Sequence, residues 1–293
     1  GSVIRSFIHR NDEEYAALDE LGKKVHIMEL EGPLFFGTSD RLASMIEERA
    51  TSDREYILLD FTRVSEVDTT ALSLICQARN SCLKNGVTLV LCSLETKRGI
   101  AKFIRSSQLY AIFGADSVYD TIDDGLAYVE DQLLDRHFGT GRYEAELASD
   151  DAGVLKAIGA SHLKVLTSSL IRQTFSDREM VFGQGTDADA IYFILKGQAT
   201  IEVRFGDGKS RKFGVLCPGA VFGEMAVLDR LPRSAGIVAT GNLICLKLTL
   251  EHLDRLIRTE PATSHALMAA IGLELSKRIR VSNRVLTELK SSL

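Results

Sequence analysis

The period of the apolar positions changes about halfway along the chain. Before residue 135, continuous apolar runs alternate with stretches of helical spacing. KVHIMEL (24–30), EYILLDF (55–61) and VTLVLCSL (87–94) predict strands, the last two buried on both faces because they show little alternation. Leu42, Met45 and Ile46 recur at helical spacing after Thr38 or Ser39, which predicts a helix capped there and running to Arg49 or Ala50. Asp68-Thr69-Thr70 predicts a second capped helix, carrying Leu72, Ile75 and Cys76 to Leu83, with Asn85-Gly86 as its stop. Further amphipathic helices are expected over 96–106 and 117–135. Strands separated by helices predict a mixed or parallel sheet with helices packed on it.

Residues 136–150 carry glycines and charges without periodicity and read as a linker between domains at 1–135 and 151–293. Beyond it, after a helical lead-in, short strands are punctuated by Gly185, Gly197, Gly206, Gly208, Gly219 and Gly241, the pattern of an antiparallel sandwich or roll. From Ala262 the spacing is helical again, with Leu267, Ile271, Leu275, Ile279 and Leu286 as the apolar stripe. That stripe predicts packing on its own domain or on a second copy, as a homodimer.

Composition narrows the function classes. The 293 residues are 45% hydrophobic and 26% charged, the mix of a globular protein with two domains. A net charge of −5 gives no footprint for nucleic acid, and no helix-turn-helix pattern follows the terminal helix. The five cysteines are odd in number and lie mostly in apolar runs, as expected of reduced thiols. No apolar run approaches the roughly 20 residues that cross a bilayer. The chain opens Gly1-Ser2 without an initiator Met, which reads as a piece cut from a longer protein. The six histidines are scattered without metal-ligand spacing, so no metal is expected. GDGKS (206–210) ends like a P-loop, but Val203 stands where the first glycine is needed, so it reads as a hairpin turn. No catalytic constellation is visible, and the expectation is a protein that is not an enzyme.

The stretch VFGEMAVLDRLPRSAG (221–236) interrupts the β pattern. Glu224 to Leu228 can form one or two helical turns after Gly223, presenting free N–H groups to an anion. Arg233 adds a bidentate donor, with Pro232 fixing the backbone before it. A ligand carrying both a phosphate and a sugar hydroxyl satisfies these groups together with Glu224. The alternative is that Glu224 and Arg233 pair with each other across the turn. The stretch resembles the phosphate-binding cassette of cyclic nucleotide-binding domains, through Phe222-Gly223-Glu224, Ala226 and Pro232-Arg233-Ser234-Ala235. The frame Val181-Phe182, Gly185, Ile191 to Leu195 and Gly197 extends the likeness over about 155–290. The resemblance implies Arg233 on the cyclic phosphate, Glu224 on the ribose 2′-hydroxyl, and backbone N–H groups of Gly223, Glu224, Ser234 and Ala235 around them. Phe222, Met225 and Ala226 complete the candidate ligand-binding set. It also implies a terminal helix that closes as a lid, with Arg278 or Arg280 near the base. Ser234 keeps a hydroxyl where the family's alanine goes with cAMP and its threonine with cGMP, so both nucleotides stay candidate ligands.

LDFTRVSEVDTTALSL (59–74) resembles the STAS domain of sulfate transporters and anti-sigma-factor antagonists. Asp68-Thr69-Thr70-Ala71 stands where the antagonists carry Asp-Ser-Ser-Gly, which makes Thr69 and Thr70 the candidates for phosphorylation; capping of the helix is the alternative. LEGPLFFGTSDRL (30–42) is similar to the STAS domains of SulP-type anion permeases, which follow the last transmembrane helix. Together the resemblances imply an α/β STAS domain, a mixed sheet with packed helices, followed by an α+β nucleotide-binding domain, an antiparallel β-roll with flanking helices. The implied role is the regulatory region of a sulfate, bicarbonate or other anion transporter, at the cytoplasmic face of the membrane. Its partner would be the transmembrane domain of the same polypeptide. The rivals are the regulatory region of a glutaminase, which some bacterial glutaminases carry, and a free-standing partner-switching protein.

Overall fold

The computed structural model describes residues 5–50, 53–94, 112–206, 208 and 210–291. In chain order they form β1 (Ile8–His9), α1 (Asp12–Leu21), β2 (Val25–Leu34), α2 (Phe36–Arg49), β3 (Tyr56–Val67), α3 (Thr69–Lys84), β4 (Thr88–Cys92), β5 (Val118–Tyr119) and α4 (Ile122–Phe138). There follow α5 (Gly153–Ala157), α6 (Ala160–Thr167), β6 (Ile171–Phe175), β7 (Met180–Phe182), β8 (Ala190–Arg204), β9 (Ser210–Leu216), β10 (Val221–Phe222), α7 (Glu224–Asp229), β11 (Gly236–Thr249), α8 (Leu250–Thr259) and α9 (Pro261–Ser291). They divide into two compact units. One holds Ala16–His137 with the residues before Phe7; the other holds Phe7–Tyr15 with Phe138–Leu293.

In the first unit the sheet order is β2-β3-β4-β5, and every pairing among the described residues is parallel. The unbroken apolar run of β3 has its physical cause here. Ile57, Leu59 and Phe61 enter the core built with α2 and α3, while Tyr56 and Leu58 enter the core built with α4. Gly125 lets α4 lie close on β4, since a Cβ there would stand 2.4 Å from Cys92 Sγ. The helix expected to start after Thr38 or Ser39 instead starts at Phe36, and the Thr38 hydroxyl accepts the Phe35 N–H at 2.9 Å. Thr38 therefore sits in the first turn and reaches back to the cap. The helix expected over 96–106 lies outside the described residues. The one expected over 117–135 runs from Ile122 to Phe138, because Val118 and Tyr119 pair with β4.

The second unit is an antiparallel β-roll whose spine is the long β8–β11 pair, with β6 and β7 on β11 and β9 on the other side of β8. The GDGKS stretch joins β8 to β9, which pair antiparallel from Arg204 opposite Ser210. β1 adds to the outer edge of β9, in parallel, with Ile8 opposite Val215 and His9 opposite Leu216. The flanking helices α5, α6, α8 and α9 bury Leu155, Leu166, Leu253, Leu267 and Ile271 against one face of the roll. Along the apolar stripe of α9, Leu267 and Ile271 are fully covered, Leu275 is partly covered and Ile279 is exposed, while the Leu286 side chain lies outside the described residues. Among the described residues no helix is long and apolar enough to cross a membrane.

Candidate functional site

β10 brings Phe222 opposite Tyr192 on β8, and the two rings stack with centroids 5.0 Å apart. This fixes where the chain leaves the sheet. Gly223 follows in the left-handed region, at φ 79°, as the N-cap of α7. A side chain does not fit there: a Cβ would meet Arg233 Nη1 at 2.6 Å and the Ala190 carbonyl at 3.1 Å. Glu224 opens α7 and is 3% exposed, Met225 points to solvent, and Ala226 packs inward.

Arg233 is 2% exposed although it lies in a loop. Its backbone is held on both sides, donating to the Thr186 carbonyl and accepting from the Gly185 N–H, each at 2.8 Å. Its Nη1 donates to the Gly223 carbonyl at 2.6 Å, and its Nη2 to Asp189 Oδ1 and the Ala190 carbonyl, both at 2.8 Å. The guanidinium lies 4.1 Å from the centre of the Phe182 ring. Its Nε is buried and has no hydrogen-bond acceptor. A buried donor of this kind is costly, and an anionic oxygen is the acceptor that would satisfy it. Ser234 is exposed and Ala235 half-buried beside it.

Glu224 and Arg233 do not pair with each other. Arg278 of α9 holds the Glu224 carboxylate at 3.4 Å and donates to the Val221 carbonyl at 2.6 Å. Burial pushes the Glu224 carboxyl above its ordinary range, and the Arg278 charge opposes that only in part. Asp189 joins Arg233 to Lys247, whose Nζ lies 2.7 Å from Oδ2. Burial works against its charge, yet hydrogen bonds from Lys247 and Arg233 hold its carboxyl below the usual range. One side of the cassette thus has a fixed cation and the other a buried acid. This arrangement suits a ligand with an anionic group next to a hydroxyl.

The sequence pattern missed Asp189, Lys247 and Phe182 as supports of Arg233. The one signal for Asp189 was a charged residue directly before the apolar run of β8. The other candidates lie in the first unit. Asp68 is the N-cap of α3, accepting the Ala71 N–H at 2.6 Å, and Thr69 and Thr70 are both exposed. The cap is therefore the aspartate and neither threonine. Among the described residues no group of three or more His, Cys, Asp or Glu could hold a metal ion.

Residues 20–125 match the family described as the STAS domain, and residues 172–260 match the family described as the cyclic nucleotide-binding domain. Glutaminase 2 of Bradyrhizobium diazoefficiens is 25% identical over 290 residues, covering 96% of this chain and 44% of that protein. Glutaminase 1 of the same organism is 23% identical over 283 residues, covering 97% and 45%. The chain thus spans less than half the length of these curated relatives. Among solved structures, a cyclic nucleotide-binding domain from Methylobacillus flagellatus is similar with a TM-score of 0.43 and 20% identity, covering 52% of this chain and 93% of that one.

Proposed function

This chain joins a STAS domain to a cyclic nucleotide-binding domain, and we propose that it is the nucleotide-sensing regulatory region of a larger protein. Its role is sensing and coupling rather than catalysis. The cyclic phosphate takes the Arg233 guanidinium and the N–H groups at the start of α7. The ribose hydroxyl donates to Glu224, and α9 closes over the base. The observation that carries this reading is the pairing pattern. Glu224 and Arg233 are both buried within one cassette, yet each is held by a partner from outside it, Arg278 and Asp189 respectively. A mutual salt bridge would have left nothing for a ligand. The deciding experiment is calorimetry with cAMP and cGMP on the wild type and on Arg233→Ala. Binding by the wild type and its loss in the variant are expected. Silence from both nucleotides at millimolar concentration overturns the reading.

Two settings are supported for the regulated partner. The segment Leu34-Phe35-Phe36-Gly37-Thr38 supports a SulP-type anion permease, with the chain at the cytoplasmic face of the membrane beside its own transmembrane domain. A glutaminase setting has the broader support, because the similarity to Glutaminase 2 runs through both domains over 290 residues. Measuring nucleotide-dependent glutaminase activity and anion flux in the product of the whole gene separates the two. The exposed Leu273 and Ile279 on α9 support association with a second copy, and sedimentation with and without cAMP tests it.

A further inference from the structure

The opening segment and the first turn of α1 do more than lead into the first domain. Phe7 to Tyr15 belong to the β-roll unit. The Val215 and Cys217 N–H groups donate to the carbonyls of Phe7 and His9, each at 3.2 Å, and the Phe7 ring stacks on Phe213. Glu14 pairs with Arg142 and accepts from the Tyr143 hydroxyl at 3.0 Å, while Arg10 donates to that hydroxyl at 2.9 Å. The same segment meets α9 at two successive residues. Lys277 holds the Asp12 carboxylate at 2.8 Å, and Arg278 holds Glu224. Successive helix residues point about 100° apart, so one helix position serves the segment and the next serves the cassette. A cavity of 660 Å³ lies between them, lined by His9 to Glu13 on one side and by Ala270, Leu273 and Glu274 of α9 on the other.

We propose that residues 7–15 are a strap whose docking on β9 is controlled by the ligand of the cassette, through Arg278 and Lys277 of α9. The proposal rests on the nucleotide reading of that cassette. A sugar hydroxyl that donates to Glu224 competes with Arg278 for the carboxylate, whose present contact is long at 3.4 Å. When α9 closes over the base, Arg278 and Lys277 move as one rigid turn, and Asp12 loses its partner. The Lys277–Asp12 pair is exposed and weak by itself. His9 and Arg278 line the same cavity, and after burial the Arg278 charge is the next cause of the depression of His9 to about 4. The buried Glu14–Arg142–Tyr143–Arg10 cluster keeps the strap tethered, so release is local to Phe7–His9. A β-edge pairing of only two residues is short enough to open without unfolding the roll. By linkage, whatever loosens the strap must tighten the nucleotide, by at most the factor with which the nucleotide loosens the strap.

Single-amide hydrogen exchange on the full chain tests this, with calorimetry run in parallel. On adding saturating cAMP or cGMP, exchange at the Val215 and Cys217 amides should quicken at least tenfold, and Arg278→Met should abolish the change. Asp12→Lys, on an exposed side chain, should lower the nucleotide Kd about threefold or more. Binding heat with unchanged or slower exchange at those two amides, or an unchanged Kd in Asp12→Lys, overturns the strap and leaves the nucleotide reading standing. Absence of binding heat overturns both.

Discussion

Arg233 Nη2 lies 2.8 Å from Asp189 Oδ1, and that contact orients the buried cation of the cassette. Asp189 precedes β8, and the Arg233 backbone is tied to Gly185 and Thr186 a few residues earlier in the chain, which brings the two groups together. The guanidinium plane is then fixed by two carbonyls and the Phe182 ring before any ligand arrives. Such preorganisation lowers the ordering cost of binding.

Removing the cation should therefore be expensive. Arg233→Ala is expected to weaken cAMP or cGMP binding by about 2–4 kcal/mol, roughly thirty- to a thousand-fold. Arg233→Lys should recover only part of this, because the planar fork is lost. Calorimetry measures both, and wild-type affinity in Arg233→Ala would remove the guanidinium from the site.

Gly223→Ala tests the close approach. The added Cβ meets Arg233 Nη1 at 2.6 Å, at a φ of 79° that L side chains rarely adopt. A stability loss of about 1–3 kcal/mol is expected, read as a lower denaturation midpoint, together with weaker nucleotide binding. A variant as stable as the wild type would show that the cassette relaxes around the new methyl.

Glu224 gives the site a pH dependence of definite sign. Its carboxyl is raised above the ordinary 4.5, chiefly by burial. The native state thus favours the protonated form, and the stability this gives is full below 4.5 and lost as pH rises through the raised value. Nucleotide affinity should run the other way, falling as pH drops through that raised value, because the protonated acid is a poorer acceptor. Glu224→Gln should flatten that profile. Affinity that stays level in the wild type from pH 8 down to the ordinary value of 4.5 would separate Glu224 from the ligand.

In the first unit, Asp68→Ala should cost about 0.5–2 kcal/mol through loss of the α3 cap. Thr69→Ala and Thr70→Ala should stay within about 0.5 kcal/mol, as exposed positions do. Chemical denaturation of the three variants checks the order, and a larger loss at either threonine would reassign the cap.

Thiol labelling should be selective. Burial pushes the thiols of Cys82 and Cys217 up to about 11 and those of Cys92 and Cys245 to about 12. Cys76 is partly exposed and is raised less far. A disulfide reagent at pH 8 should modify Cys76 first and the other four only as fast as the protein opens.

The β-roll and the parallel sheet were legible in the sequence because burial on one or two faces writes a period into the chain. Gly223, Glu224 and Arg233 were legible because a glycine, an acid and an arginine are conspicuous in an apolar run. Their partners were not. Asp189 and Lys247 act through a strand pairing that joins residues far apart in the chain, and no local spacing encodes it. The contact of Arg278 with Glu224 was not legible, since only the packing of α9 turns it towards Val221 and Glu224. β1 has two residues, too few for any alternation to show, so no strand was expected in the opening segment.

That two-residue strand has a consequence during synthesis. Ile8 leaves the ribosome first, and its partner Val215 follows only after the whole parallel-sheet unit has been made. At about 5–20 residues per second the wait is some tens of seconds at most, long enough for that unit to fold while the strap hangs unpaired. An expression fragment that starts at the linker never receives the strap. Its β9 then presents an open edge with Val215 and Cys217 N–H groups uncovered, a template for another chain. The roll cut out in this way should aggregate more readily than the same roll in the full chain, and a synthetic peptide of residues 5–15 added in excess should suppress it.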